Sequence, residues 1–233
     1  MSNHLIVGMG QIGTALMSVL KEKYTVNGIE RTDEVGQPYD VMHVTFPCKN
    51  VEEFKSEVRK YQKNWLIAGG LTIIHSTVPV GVCDELGVVH SPVRGIHPNL
   101  REGILTFSKF FGGKRAKEAA DVFAELGINV VVSTRARDVE AMKLWDTTQY
   151  GVNISLMRRM HEWCEENDVN FDVAYTLANE SYNAGYEALG HPEYKKYILK
   201  YMPGKVGGHC VIQNLALLKE PAEVVDFVLK KSS

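Results

Sequence analysis

The sequence predicts an α/β fold, a mostly parallel sheet followed by an all-helical domain, and three observations lead there. Short apolar runs alternate with amphipathic helical patterns through the first half of the chain. A glycine-rich turn joins the first strand to the first helix. From Ala136 onward the strand-like runs stop and long helical patterns take over. Strands alternating with helices imply parallel pairing, with helices covering both faces of the sheet.

The first unit is the most informative. "HLIVGMGQIGTALMSVL" opens with an apolar strand over 5–7 and turns through Gly8, Gly10 and Gly13. It then enters a helix with Ile12, Leu16 and Leu20 on one face. This is G-x-G-x-x-G between strand and helix, the context a Rossmann-like dinucleotide cradle requires. Gly8 permits the tight turn, Gly10 lets a pyrophosphate approach the backbone, and Gly13 lets the helix pack on the strand. Gln11 and Ile12 complete the first helical turn, whose amides face the phosphates. The next strand, "YTVNGIE", ends at Glu30, where a carboxylate can bind ribose hydroxyls. The same residue reads as a solvated acid at a strand end. Glu30 favours NAD over NADP, while Arg31 beside it can accept a 2′-phosphate, so NADP stays open.

The alternation continues with a strand over 40–48 and a helix over 51–62 that carries Val51, Phe54, Val58 and Tyr61 on one stripe. Strands are expected over 71–76, 87–93, 109–113 and 129–133. A short helix follows "TVPVG", an irregular loop lies between the strands at 87–93 and 109–113, and a helix spans 114–126. About ten residues separate Glu30 from the next strand, fewer than a helical crossover needs, so one unit of the nucleotide fold is expected to be trimmed away or its connection to take an abbreviated form.

The chain is read as a dinucleotide-binding domain over 1–134 and a helical domain over 135–233. The latter begins with one long helix over 136–167, followed by helical patterns over 172–189 and 221–231. Lys143 and Thr147 share a face of the long helix. Lys143 lies among Met142, Leu144 and Trp145, which suits either a desolvated ammonium or a surface lysine with a buried stem. Further on, "MPGKVGGHCVIQN" (202–214) is too glycine-rich for a helix or an ordinary strand, and it reads as a loop that presents Cys210 for close approach. His209 is adjacent, although neighbouring side chains often point apart.

Bulk properties exclude several classes. A formal charge of −2 and the lack of a basic stripe give no reason to expect nucleic acid or an anionic membrane as partner. No apolar run reaches transmembrane length, and the N-terminus lacks a signal-peptide pattern. Four scattered cysteines suggest neither disulfides nor zinc, and the eight histidines show no ligand spacing, so no metal is expected. The protein is read as cytoplasmic.

Taken together, "GMGQIG", "VTFP", "HSTVPVG", "HSPVRGIHP", "VEAMKLWDTTQYGVNISLMRRMHEWCEEN" and "PGKVGGHCVIQN" resemble the UDP-glucose/GDP-mannose dehydrogenase family, in that family's order and up to about residue 218. The last stretch looks like the cysteine loop of the family's N-acetylhexosamine branch. The resemblance implies oxidation of a primary alcohol on a sugar, nucleotide sugar or other polar small molecule, through an aldehyde and a cysteine thioester, with two NAD reduced. It implies Cys210 as nucleophile, Lys143 as the group that stabilises the developing alkoxide, and Thr77 near the nicotinamide and the reactive water. By the same resemblance Thr45, Pro47 and Ser76 stand at strand ends beside the cofactor. Arg94, His97, Asn99, Glu102 and His209 are candidates to line the substrate pocket. A homodimer through the helical domain is also implied.

Three departures stand out. Thr147 occupies the position where the family has asparagine, Asn214 stands where it has aspartate, and Val93 replaces a glutamate that assists water attack on the thioester. The family's C-terminal UDP-binding domain has no counterpart before Ser233. Two other readings stay open: a single-step hydroxyacid or alcohol dehydrogenase using Lys143 alone, and a dinucleotide-binding sensor without turnover.

Overall fold

A computed structural model of the chain describes residues 2–30, 38–95, 98–203, 209–218 and 221–230, with the side chains of His209 and Cys210 left out. The chain runs from β1 (Asn3–Val7) through α1 (Gln11–Leu20), β2 (Thr25–Ile29) and β3 (Tyr39–Val44) to α2 (Val51–Trp65). β4 (Leu66–Ile74), α3 (Val82–Leu86), β5 (Val89–His90) and α4 (Leu100–Thr106) follow, then β6 (Lys109–Gly112), α5 (Ala116–Ala124) and β7 (Val130–Ser133). The strands form one sheet in the order β2-β1-β3-β4-β5-β6-β7. Every neighbouring pair is parallel except β5 and β6.

Side-chain alternation explains why the central strands β1, β3 and β4 carry apolar residues at both parities. Ile6, Val41 and Ile73 face one layer, packed with Leu16 and Leu20 of α1 and Phe123 of α5. Leu5, Val7, Met42 and Val44 face the other, against Phe54, Val58 and Tyr61 of α2. A sheet covered on both faces has no solvent-facing parity, so both positions of the two-residue repeat are hydrophobic. The predicted stripe on α2 is the buried one, and the Asn50 side chain caps the helix by accepting from the Glu53 amide at 3.0 Å.

Several boundaries differ from expectation, each for a physical reason. The strand predicted over 87–93 pairs only at Val89 and His90, because Pro92 has no N–H for a ladder. The strand predicted over 71–76 begins earlier, at Leu66, where it pairs with Tyr39 across a register shift. The loop after β5 contains α4, whose buried Leu100, Gly103 and Ile104 supply a helical apolar face. β3 lies on the opposite side of β1 from β2, and no described strand lies beyond β2, in keeping with a trimmed unit.

The helical part comprises α6 (Ala136–Glu166), a π-helical turn Asp172–Leu177, α7 (Ala178–Ala188), a 3-10 turn Pro192–Tyr194, α8 (His209–Leu218) and α9 (Ala222–Leu229). Two compact units divide the chain, Met1–Leu144 and Trp145–Ser233, with the division inside α6. In the second, Val211, Leu215 and Val228 form a small core. A Cβ on Gly151 would lie 2.8 Å from Val211 Cγ1, so α8 closes on α6 where a side chain is missing. α8 corrects one expectation. Residues 209–214 are helix, not loop, because the glycines end at Gly208, and Val211 and Leu215 then bury one face at helical spacing. Among the described residues no helix is long and apolar enough to cross a membrane.

Candidate active site

The carboxyl ends of the strands build the first part of the site. Past β1, the Gly8 amide donates to Ile29 O at 2.8 Å, and Gly8 has φ +102°, a conformation open to glycine. A Cβ there would come within 2.9 Å of the Phe46 amide nitrogen. Gly13 is more constrained still, since its Cβ would fall 2.0 Å from Gly8 O. Gly10, in contrast, is the N-cap of α1, and a Cβ on it would meet nothing within 4 Å. The first turn of α1 holds no acidic residue, and its N-cap, Gly10, makes no side-chain cap among the described residues. An exposed, uncapped helix N-terminus with open space beside a glycine fits a pyrophosphate.

The other cofactor candidates belong to the same edge of the sheet. Glu30 is exposed directly after β2. Thr45, after β3, turns its hydroxyl onto Val7 O (2.9 Å) and Gly8 O (2.5 Å), which ties the glycine turn to the neighbouring strand. Ser76, after β4, donates to Phe46 O at 2.6 Å and is buried. These two hydroxyls shape the cradle through the backbone. Pro47 is exposed and Thr77 half-buried at the adjoining strand ends. The cradle faces the point where the chain order reverses between β1 and β3, the usual ligand crevice of an open α/β sheet. Arg31 and His97 lie outside the described residues.

Lys143, half-buried on α6, donates to Val93 O at 3.1 Å. Val93, where the resemblance expects a glutamate, packs its side chain into the core. Next to it is a residue that sequence reasoning missed. Lys109 begins β6, is 5% exposed, and donates to Ser91 O (3.1 Å) and Pro92 O (3.4 Å). Two lysines thus hold three successive carbonyls. Burial, with a smaller effect of the Lys143 charge, pushes the Lys109 amine down to about 7. The only sequence signal was a lysine opening an otherwise apolar, aromatic strand. Arg94 lays its guanidinium over Phe107 at 5.4 Å, and Asn99 is the exposed N-cap of α4.

In the helical unit, Asn214 is buried and its Nδ2 donates to Thr147 Oγ1 at 3.1 Å. The two departures from the family pattern there, on α8 and α6, are therefore bonded to each other. Cys210 is one helical turn before Asn214, in the first turn of α8. The remaining cysteines are poor nucleophiles: burial raises the Cys48 thiol to about 11 and moves Cys83 well above its usual range, and Cys164 is buried. The same unit holds a cleft of about 710 Å³ lined by His161, Phe171, Asp172, Glu180 and Tyr201, none of which the sequence reading singled out.

Comparison with known proteins gives the chain its relatives. No protein-family model matches it. It is 30% identical over 162 residues to UDP-N-acetyl-D-mannosamine dehydrogenase of Methanocaldococcus jannaschii, a match covering 64% of this chain and 35% of that protein. The chain thus matches about a third of that relative's length. Among solved structures it is similar to UDP-D-ManNAc dehydrogenase from Pyrococcus horikoshii, with TM-score 0.79 and 19% identity over 99% of this chain and 68% of that one. It is also similar to 3-hydroxyisobutyrate dehydrogenase of Mycobacterium tuberculosis, with TM-score 0.69 and 15% identity over 99% and 93% of the two chains. The chain is therefore a homologue of a nucleotide-sugar dehydrogenase over the matched residues, and its fold is the one these dehydrogenases share.

Proposed function

We propose that the chain binds NAD in the Gly8–Gly13 cradle and oxidises an alcohol on a sugar-like or nucleotide-sugar substrate, with Lys143 and Cys210 as the catalytic groups. The observation that carries the reading is the cradle: a positive-φ glycine, a helix N-terminus without cap or acid, and open space at Gly10. The homology to a nucleotide-sugar dehydrogenase supports the substrate class. The proposed division of labour is a cofactor domain over 1–134 and a helical domain over 135–233.

NAD, when bound, would supply the two-electron acceptor for oxidation of the alcohol. The protein's own groups do the rest. The amides of Gln11 and Ile12 meet the pyrophosphate, and Glu30 takes the ribose hydroxyls, which favours NAD over its 2′-phosphorylated form. Thr77 borders the nicotinamide end. Lys143 stabilises the alkoxide as the hydroxyl proton leaves. Cys210, in the first turn of α8, has its thiolate favoured by the helix N-terminus and attacks the aldehyde. Arg94, Asn99 and His209 are proposed to line the substrate pocket. The single-step alternative draws on two observations: Val93 is in the core and Asn214 is bonded to Thr147, so neither family helper of thioester hydrolysis is in place.

Gly10→Ala tests the cradle cleanly. Because a Cβ there meets nothing in the protein, the melting temperature is expected to stay unchanged while NADH affinity, read by fluorescence titration, falls at least about tenfold. Wild-type protein that binds neither NADH nor NADPH at millimolar concentration would overturn the reading.

A homodimer through the helical unit is proposed with it, since Trp145, Leu156, Met160 and Trp163 stand exposed along α6. Sedimentation at micromolar concentration is expected to show a dimer; a monomer across that range rejects it.

A further inference from the structure

Four strand segments in sequence carry one histidine each: His4 in β1, His43 in β3, His75 just past β4 and His90 in β5. The first three join into a continuous hydrogen-bonded file. Ser2 Oγ lies 2.9 Å from His4 Nε2, His4 Nδ1 2.9 Å from His43 Nε2, and His43 Nδ1 3.0 Å from His75 Nε2. His75 Nδ1 then meets Ser91 O at 2.6 Å and Lys109 Nζ at 3.4 Å. The three imidazoles are at most 1% exposed, whereas Ser2 at the outer end is partly solvent-accessible. From these contacts we propose that His4, His43 and His75 form a proton relay through the sheet, carrying one proton between solvent at Ser2 and the buried amine of Lys109.

Hydrogen-bond logic fixes the relay's direction. Ser91 O can only accept, so His75 carries its proton on Nδ1 and accepts on Nε2. His43 must then donate from Nδ1 to His75 and accept on Nε2, and His4 likewise donates to His43. Ser2 donates its hydroxyl to His4 Nε2. With Lys109 neutral, every imidazole is the Nδ1–H tautomer. A proton taken up at His4 Nε2 displaces the Nδ1 proton to His43, which passes its own to His75, whose Nδ1 proton moves to the lone pair of Lys109. One proton enters, one arrives, and no other bond is made or broken. All three rings end as Nε2–H tautomers; the new ammonium donates to His75 Nδ1 and keeps its bond to Ser91 O, and the 2.6 Å contact between His75 Nδ1 and Ser91 O, now two acceptors, opens as the proton arrives.

Packing keeps the rings from flipping back. His4 stacks on Tyr24 at 4.5 Å, and Phe123 sets its edge against His43 and His75. A single passage therefore inverts the file, and the relay shuttles one proton to and fro rather than conducting a stream. The surrounding charges suit this. Asp40 lies near His4 at the outer end, while His90 and Lys143 are the other titratable groups felt at the inner end. The lowered pKa of Lys109, about 7, leaves it poised to take or release a proton near neutrality. Its neighbour in holding the 91–93 carbonyls is Lys143, so under the proposed function the store adjoins the group that handles the alcohol proton.

The test needs neither substrate nor cofactor, so its failure is distinct from failure of the dehydrogenase reading. In full-length protein labelled with 15N, long-range proton–nitrogen spectra report the tautomer of each imidazole from pH 6 to 9. His4, His43 and His75 are expected to invert together from Nδ1–H to Nε2–H as pH falls, at the midpoint where Lys109 Nζ titrates. Tautomers that stay fixed while Lys109 titrates, or a Lys109 that does not titrate in this range, overturn the relay. His43→Phe, with folding checked by its amide spectrum, is expected to slow proton exchange at Lys109 at least tenfold. An unchanged rate in the folded variant also overturns the proposal, and the wild-type spectra decide if the variant does not fold.

Discussion

Between pH 6.5 and about 4 the protein is expected to lose its helical circular dichroism in a steep acid transition. Four buried histidines set this window. Burial lowers His4 to about 4 and His90 to about 3, and it holds His43 and His75 well below 6.5, with the charge of Lys109 adding to the last three. The unfolded chain takes up these protons as the pH falls through 6.5, while the folded protein does not. Their stabilisation is therefore complete above 6.5 and is lost as pH falls toward the folded values. Each group costs roughly 1.4 kcal/mol per pH unit in that window. Four together cost about 6 kcal/mol per unit, the scale of a domain's whole stability of about 5–15 kcal/mol. Glu140, raised by burial, opposes this with a single group. Lys109 adds stability of the same sign at higher pH, gained between about 7 and 10.5. His43→Leu should flatten the acid transition by one proton's worth. A wild-type midpoint below pH 4 would contradict the account.

The histidines also show what the sequence could and could not reveal. The sheet, its alternating helices and the glycine cradle were legible because they depend on local spacing: apolar alternation in β1 and β3, the stripe Phe54, Val58, Tyr61, and the three glycines between strand and helix. The file of imidazoles was not legible, because His4 and His43 are 39 residues apart and His43 and His75 are 32 apart. Their contact is set by strand order, which no local period encodes. The same holds for Lys109, whose partners are the carbonyls of Ser91 and Pro92. Cys210 misled in the other direction. Gly204, Gly207 and Gly208 dominated the local composition, and the helical face of Val211 and Leu215 began directly behind them. In sequence Thr147 and Asn214 read separately, the first as a hydroxyl still able to hold a water and the second as an amide that cannot act as a base, both at catalytic positions. In the fold they are one hydrogen-bonded pair, which is a reason for them to have changed together.

Lys143→Met and Cys210→Ser divide the chemical readings by what each variant still does. In the proposed double oxidation, Lys143→Met is expected to lower kcat by about 10²–10⁴, the usual scale for a group acting on a proton in flight. NADH binding should survive, because the Lys143 amine is anchored on Val93 O. Methionine keeps the buried stem, so a lost ammonium and not a cavity is being tested. Cys210→Ser leaves the first hydride transfer possible and removes the thiolate that traps the aldehyde. NADH formed per alcohol consumed should then fall from two to one, with free aldehyde accumulating. Cys48, Cys83 and Cys164 cannot stand in, since all three are buried. If the wild type already stops at one NADH and Cys210→Ser turns over at full rate, the single-step reading is correct. The buried Val93 side chain and the Asn214–Thr147 bond would then mark where the second oxidation was given up. If Lys143→Met also keeps full turnover, neither dehydrogenase mechanism holds; a wild type that binds the dinucleotide tightly and turns over no alcohol would instead leave the cradle serving binding alone.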